Sequence, residues 1–250
     1  MKKKYLLLGL IFVLLIGVIG EGYFYFSTRN NDKNPHEITE PSKEVIKNDG
    51  DENDEKEKYK EIIQGYKNEF NNNDVVGEIT IVNTDYKKAI MQASDNDYYL
   101  NHTEDNTSSY MGAIYLDFRV DIDSGRKLLI YGHNSANIDM PFKVLEKYYD
   151  YNYYKEHEYI KITTENKVRL YKIYAVYVEP TDFSYMQTDF NNDDEWYEHI
   201  KHFKDKSMYD TGVDISSNDN ILILQTCSTH RDYRNYKRKF MLVIAKEVNE

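Results

Sequence analysis

Cysteine is nearly missing from this sequence. Cys227 is the single cysteine among 250 residues, so no disulfide can form within one chain. A lone thiol in an oxidising compartment is either an intermolecular link or a reactive group, because cysteines there usually occur in pairs. The compartment of the chain therefore decides how Cys227 is interpreted.

Basic residues are also in deficit. The chain has 32 Lys and Arg against 43 Asp and Glu, which gives a net charge of -11. Nucleic-acid binders need clustered Lys and Arg, so a nucleic-acid partner is excluded. The sequence also lacks a Gly-rich phosphate loop, a zinc-type His/Cys spacing and an EF-hand, so we expect no cofactor and no metal. The acidic residues 189–195 are more typical of helix capping than of a calcium loop.

Long hydrophobic runs are absent except at the N terminus. Residues 5–20 are apolar, follow three lysines and precede a cluster of aromatic residues. A helix over this run is about 24 Å long, and the aromatics extend it to roughly the 30 Å core of a bilayer. We predict a membrane anchor over residues 1–26, with the N terminus inside and the rest of the chain outside the cell. A cleaved signal peptide is disfavoured, because Glu21 and bulky aromatics follow the run.

A polar segment separates the anchor from the rest of the chain. Residues 27–57 are rich in charge and contain two of the four prolines, which predicts a disordered tether. A folded domain is predicted over residues 58–250. Its first helix begins around Asn53 and presents one apolar stripe at helical spacing. The stripe consists of Tyr59, Ile62, Ile63, Tyr66 and Phe70.

Short segments rich in Ile, Val and Tyr dominate the domain. They predict about eight strands, beginning with two that are joined by a turn at residues 83–85. Two helices interrupt them. One starts near Pro141, and the other places Trp196, Ile200 and Phe203 on one face. We therefore predict a mainly β fold, a single barrel of mixed topology with a few helices.

Cys227 ends one of these strands and precedes a polar loop. A buried and inert cysteine is the default interpretation, but functional residues are more frequent at such strand-to-loop boundaries. A thiol becomes a nucleophile when a base takes its proton or a positive neighbour lowers its pKa. We therefore interpret Cys227 as a candidate nucleophile.

A histidine and an arginine are the candidate partners of this thiol. His133 ends an apolar strand in "LLIYGHNS" and is the candidate base, with His230 as a rival close to the cysteine. Arg238 opens the last predicted strand, where its guanidinium can donate two hydrogen bonds to a carbonyl or an oxyanion. Arg231 and Arg234 lie in the loop and are more typical of surface charges.

Three motifs occur together in this order: "YGHNS" at residues 131–135, "QTC" at residues 225–227, and an arginine eleven residues after the cysteine. Residues 95–102, 112–119 and 140–148 add to the same pattern. With these motifs the sequence resembles class B sortases from the helix near Lys58 to the C terminus. The resemblance implies an eight-stranded sortase-type β-barrel, with an N-terminal helix and a helix in the connection between strands 6 and 7.

The resemblance also implies an activity, that of a membrane-anchored cysteine transpeptidase of Gram-positive bacteria. Cys227 is implied to cleave a C-terminal Asn/Ser/Leu-Pro-x-Thr-like sorting motif after Thr, through a thioacyl-enzyme that a peptidoglycan amine resolves. His133 is implied as the general acid and base, and Arg238 as the group that orients the motif and stabilises the oxyanion. The implied partners are surface proteins with this motif, the peptidoglycan amine and the membrane.

The resemblance implies six further substrate-binding residues. Five match the groove that holds the sorting motif in this family: Asn96, Leu100, Thr181, Tyr185 and Met186. The sixth, Gln225, departs from the usual Ser of the class. The loop before the last strand also allows Arg234 to align in place of Arg238.

Two other functions stay open at the level of the sequence. One is a different cysteine peptidase of the cell wall, although the "S-x-G-C" type of signature is absent around Cys227. The other is a membrane-anchored surface module without enzymatic activity, in which Cys227 is structural.

Overall fold

The computed structural model describes residues 52–248. The predicted anchor, residues 1–26, and the predicted tether up to residue 51 lie outside the described residues. No helix between residues 52 and 248 combines the length and the apolarity needed to cross a bilayer. The first helix, α1, begins at Glu52, so the end of the segment predicted as a tether is helical.

Eight strands and three α-helices alternate irregularly along the described part of the chain. In order they are α1 (Glu52–Phe70), β1 (Val75–Ile81), β2 (Lys87–Met91), β3 (Tyr115–Leu116), β4 (Lys127–Tyr131), α2 (Tyr151–Glu156), β5 (Tyr159–Thr163), β6 (Val168–Glu179), α3 (Asp193–Asp205), β7 (Ile221–Cys227) and β8 (Phe240–Val248). Short 3-10 helices cover Lys143–Tyr149, Ser184–Met186 and Arg231–Tyr233.

The strands close into one barrel in the order β1-β2-β3-β4-β7-β8-β6-β5. The pairs β2–β3 and β4–β7 are parallel, and the other neighbours are antiparallel. The predicted mainly β fold is confirmed, with an N-terminal helix in α1 and a helix between β6 and β7 in α3.

The hydrophobic core has two parts, separated by the wall of the barrel. The inward side chains of the strands, such as Leu222 and Leu224 of β7, form the interior cluster. The outward side chains Ile221 and Ile223 belong to a second cluster, which includes Ile63 of α1 and residues of α3. Strands β4 and β7 are buried on both faces, and this explains their continuous apolar runs.

Trp196, Ile200 and Phe203 of α3 are fully buried in the second cluster, as the helical spacing predicts. Asn192 caps the helix, because its side chain accepts a hydrogen bond from the Glu195 backbone N–H. The cap and the apolar stripe together hold α3 against the outer face of the barrel.

Two predicted elements differ in detail. Residues 112–119, one of the segments rich in Ile and Tyr that are expected to form strands, contain only the short strand Tyr115–Leu116. Asp117 turns the chain there, because its carboxylate accepts from the Arg119 N–H and its carbonyl accepts from the Val120 N–H. The helix predicted near Pro141 begins as a 3-10 helix at Lys143. The α-helix follows only at Tyr151, where Asp150 supplies the N-cap.

We expect α1 to contribute to stability through Ile63, which is fully buried against the barrel. Ile63→Ala should lower the free energy of unfolding by about 2–5 kcal/mol, because it removes buried methyl groups and leaves a cavity. Glu61→Ala, at an exposed position of the same helix, is the control and should change it by less than about 0.5 kcal/mol. Urea denaturation measures both, and equal losses would contradict this account of α1.

Candidate active site

Parallel pairing of β4 with β7 brings the two candidate catalytic residues together. The register aligns Tyr131 with Gln225, and His133 and Cys227 lie two residues beyond each of them. Two hydrogen bonds continue the pairing past Tyr131: the Gly132 N–H donates to the Gln225 carbonyl at 3.2 Å, and the Thr226 hydroxyl donates to the Gly132 carbonyl at 2.7 Å.

The same two residues share the outer face of the barrel. Side chains alternate along a strand, so Cys227 lies on the face of Ile221 and Ile223, and His133 follows Leu129 and Tyr131. These strand residues belong to the outer cluster. The connection between β6 and β7 covers this face, so the candidate site lies beside that connection.

Cys227 carries a free thiol at the protein surface. Neighbouring atoms partly shield it from water, and this partial burial raises the pKa of the Cys227 thiol above its usual value. The Lys239 ammonium opposes the shift but does not cancel it. The thiol is therefore protonated near neutral pH and needs a base before it can act as a nucleophile.

The backbone of Cys227 is tied to the residue that follows His133. The Asn134 side chain donates from Nδ2 to the Cys227 carbonyl at 2.9 Å. The next residue, Ser228, shares a hydrogen bond of 2.8 Å with the Tyr149 hydroxyl. These contacts hold the end of β7 against the segment after β4, and sequence reasoning missed both partners.

His133 is oriented by a backbone carbonyl. Its Nε2 lies 2.8 Å from the Leu100 carbonyl oxygen, which can only accept, so Nε2 carries the proton in the neutral ring. Nδ1 is then the basic nitrogen. No hydrogen bond joins the imidazole to the Cys227 thiol within residues 52–248, and such contacts often tighten only when substrate binds.

Gly112 leaves room for the His133 ring. It adopts a left-handed conformation with φ of 60°, and a Cβ there would lie 3.0 Å from His133 Cδ2 and 2.6 Å from the Tyr99 carbonyl oxygen. A side chain at this position would push against the imidazole. Gly112 belongs to the segment 112–119 that resembles the family, but no sequence pattern predicts its contact with His133.

The structure places Arg238 close to the cysteine in register, but it does not show a contact. Cys227 pairs with Phe240 of β8, and Arg238 lies two residues before Phe240. Arg238 and Arg234 are both exposed, and neither guanidinium makes a hydrogen bond or ion pair with any residue the structure describes. Lys239, which sequence reasoning missed, is the cation that acts on the thiol.

The predicted groove residues near β2 and β3 have different surroundings. Leu100 is 37% exposed, and its carbonyl binds His133. The amide of Asn96 is occupied within the protein, because Nδ2 donates to Asp117 Oδ2 at 3.0 Å and Oδ1 accepts from the Phe118 N–H at 3.0 Å. The Asn96 amide is therefore engaged in hydrogen bonds within the protein.

The predicted groove residues after β6 lie beside the strand that pairs with β7. The Tyr185 ring is buried and packs on Phe240, with ring centroids 6.5 Å apart. Its hydroxyl is buried and has no hydrogen-bond partner in the described part of the chain. Thr181 and Met186 are exposed, and Gln225 is partly buried on the face that carries Cys227.

No group of three or more His, Cys, Asp or Glu side chains suited to hold a metal ion occurs in residues 52–248. The candidate site brings together a thiol, an imidazole and nearby cationic side chains.

Comparison with known proteins gives a consistent result. The Sortase domain family model matches residues 79–248. Sortase B of Listeria monocytogenes is 34% identical over 163 residues, which cover 65% of this chain and 66% of that protein. Sortase B of Staphylococcus aureus is 30% identical, over 70% of each chain.

A solved structure agrees in fold. The structure of the C-to-S mutant form of Clostridium perfringens sortase B matches with a TM-score of 0.69 and 27% identity, over 79% of this chain and 91% of that one. The Listeria alignment spans just under two thirds of that relative's length, whereas the structural match covers most of the solved chain.

Gly112→Ala should displace the His133 ring. The matched control is Gly212→Ala, because Gly212 has φ of 67° but no atom within 4 Å of its Cβ position. We expect Gly212→Ala to cost about 1 kcal/mol of stability from backbone strain alone, and Gly112→Ala about 2–4 kcal/mol. The imidazole NMR signals of His133 should shift only in Gly112→Ala; unchanged signals in that variant would refute the packing role.

Removal of the Lys239 charge should raise the pKa of Cys227 further. The thiolate fraction grows as pH rises, so the midpoint of the iodoacetamide alkylation profile should lie above pH ~8.5, the midpoint for an ordinary thiol. Lys239→Met should slow alkylation at each pH below the pKa. Lys237→Met, in the same loop, is the control and should leave the pH profile of alkylation unchanged. An unshifted pH profile in Lys239→Met would contradict the interaction between Lys239 and the Cys227 thiol.

Proposed function

The chain belongs to the sortase family, as a class B sortase, and from this premise we propose that it joins surface proteins to the cell wall by transpeptidation. The substrate is a protein with a C-terminal sorting motif of the Asn/Ser/Leu-Pro-x-Thr type, and the acceptor is an amine of peptidoglycan. The observation that supports the proposal most directly is the β4–β7 register, in which His133 and Cys227 each follow a paired residue by two positions, together with the exposure of Cys227.

The first half of the reaction forms a thioester. His133 takes the proton of the Cys227 thiol, and the sulfur adds to the carbonyl carbon of the Thr residue in the motif. The carbon–nitrogen bond then breaks, and the imidazolium returns the proton to the departing amine. A base is required here because burial keeps the thiol protonated near neutral pH.

The second half transfers the protein to the wall. The acceptor amine attacks the thioester carbonyl, His133 removes its proton, and the carbon–sulfur bond breaks to restore the cysteine. The product contains a new amide bond, and no net oxidation or reduction occurs.

Arg238 is the proposed partner for the developing oxyanion. Arg238 lies two residues before β8, and its guanidinium is exposed and has no protein partner among the described residues, so its donors are available to a substrate carbonyl. Arg234 shares this availability and is the competing assignment. The residues proposed to form the groove are Asn96, Leu100, Thr181, Tyr185, Met186 and Gln225.

We also propose that the domain works outside the cell. The apolar residues 5–20 suit a single-pass anchor, and the lysines before them favour an N terminus in the cytoplasm. Residues 27–57 then serve mainly as a spacer between the membrane and the catalytic domain, residues 58–250.

Two alternatives fit the site less well. A structural role for Cys227 conflicts with its exposure, since a structural cysteine outside a disulfide is normally buried. Another type of cell-wall cysteine peptidase would have to use the sortase fold for different chemistry.

Cleavage of quenched peptides that carry Asn-Pro-x-Thr, Ser-Pro-x-Thr or Leu-Pro-x-Thr tests the proposal on the full chain in detergent. Cys227→Ala should abolish cleavage, and His133→Ala should lower kcat by about 10²–10⁴-fold because the proton transfers lose their carrier. His230→Ala is the matched control and should retain activity. Arg238→Ala should lose far more activity than Arg234→Ala.

Activity that persists in Cys227→Ala, or the absence of cleavage of any peptide by the wild-type chain, would refute the transpeptidase. Loss of activity in Arg234→Ala with activity kept in Arg238→Ala would reverse the arginine assignment. Added amine acceptor should divert product from hydrolysis to transfer, and a peptidase would show hydrolysis only.

A further inference from the structure

Three successive backbone carbonyls at the end of the Ser184–Met186 helix are bound by cationic side chains. Lys127 Nζ donates to the Tyr185 carbonyl at 2.6 Å and to the Gln187 carbonyl at 2.7 Å. Arg119 Nη2 donates to the Met186 carbonyl at 3.0 Å. Carbonyls at a helix C terminus lack partners within the helix, so these bonds fasten the segment to the barrel.

The Arg119 guanidinium is held by a buried carboxylate. Nε and Nη2 donate to the two oxygens of Asp117 at 2.8 and 2.7 Å, which is a bidentate pair. Asp117 is fully buried. Its burial alone would raise its pKa, but the hydrogen bonds from Arg119 and Tyr131 outweigh burial and lower the pKa to about 2. The pair is therefore charged throughout the neutral range.

Asp117 also binds the other side of the candidate groove. Its Oδ2 accepts from Asn96 Nδ2 at 3.0 Å and from the Tyr131 hydroxyl at 2.8 Å. Tyr131 lies two residues before His133. One carboxylate thus connects the segment after β2, the end of β4 and, through Arg119, the segment after β6.

Lys127 supports the same segment less securely. Its side chain is buried, and this burial, together with the nearby Arg119 charge, lowers the pKa of Lys127 to about 7. Arg119 keeps its charge at any pH of interest, because a guanidinium does not deprotonate in proteins. Arg119 is therefore the permanent cation of this network.

We propose that Asp117 and Arg119 are positioning residues for the sorting-motif groove. The ion pair fixes the carbonyl of Met186, in the segment after β6, relative to Asn96 and Tyr131 on the opposite side of the groove. It thereby sets the distance between the two sides of the groove in which the peptide binds. It acts on substrate affinity and makes no contact with the reacting atoms. This inference rests on the proposed transpeptidase function.

The alternative is a purely structural ion pair, and a second pair in the chain controls for it. Arg169 binds Glu247 with the same bidentate geometry, at 2.8 Å from both Nε and Nη2. Arg169 is buried at the start of β6, whereas the candidate site lies at the other end of that strand, where Glu179 pairs with Phe240. The same Arg→Lys substitution at Arg119 and at Arg169 therefore compares loss of a bidentate ion pair near the candidate site with loss of one far from it.

Arg119→Lys and Arg169→Lys are compared in the full chain, with kcat and KM for peptide cleavage and the melting temperature as readouts. A lysine keeps the charge but cannot bridge both Asp117 oxygens and the Met186 carbonyl. We expect Arg119→Lys to raise KM about tenfold, with kcat within about twofold, because a charge-assisted hydrogen bond is lost from the groove wall. Arg169→Lys should lower the melting temperature and leave KM unchanged.

Tyr131→Phe is the second variant and removes only one hydrogen bond from Asp117, so it should fold and raise KM by about two- to threefold. KM values equal to wild type in Arg119→Lys and Tyr131→Phe would overturn the positioning role, as would a fall in kcat without a change in KM. If Arg119→Lys does not fold, Tyr131→Phe decides. Absence of cleavage by the wild-type chain would instead reject the proposed function, and this inference with it.

Discussion

The parallel pairing of β4 with β7 is the constraint on which the rest of the site depends. Side chains alternate along a strand, so a shift of one residue in this register would turn either His133 or Cys227 towards the barrel interior. Both strands are buried on both faces, so such a shift would place each side chain against the wrong neighbours and disrupt close packing on both sides of the barrel wall. The hydrogen bonds of Gly132, Asn134 and Thr226 continue the alignment beyond the regular strands.

The outer face of the barrel serves stability and the candidate function at once. Trp196, Ile200 and Phe203 of α3 pack against it and keep the β6–β7 connection in place. The part of the connection before α3 then lies beside Phe240, the residue that pairs with Cys227. The β6–β7 connection therefore bounds the proposed groove. Its helix α3 is anchored in the outer hydrophobic cluster, and the carbonyls of residues 185–187 are bound by Lys127 and Arg119.

The electrostatics of the site differ from those of the chain as a whole. The net charge of -11 suggests an acidic surface, yet five Lys and Arg side chains lie between Cys227 and the start of β8. One of them, Lys239, acts on the thiol and opposes the rise in its pKa that burial causes. A local excess of positive charge suits a site where negative charge develops on a carbonyl oxygen. The net charge of the whole chain therefore does not describe the site.

The sequence by itself determined the class of fold, and it singled out Cys227 and His133 as the candidate catalytic pair. Apolar runs at strand length, the helical stripes of α1 and α3, and the strand-end positions of both residues are local patterns that depend on neighbours along the chain. The family resemblance supplied the barrel topology, which the closed strand order confirms. The anchor over residues 1–26 stays a prediction.

Only the tertiary structure decided which distant groups surround these two residues. Gly112, Lys239 and the Asp117–Arg119 pair act on the site through contacts between segments far apart in sequence, and no periodicity encodes such contacts. For the same reason, the sequence did not predict that the Asn96 amide is hydrogen-bonded to Asp117 and Phe118. Local sequence specifies where a side chain points along its own strand, whereas the register between strands specifies what it meets there.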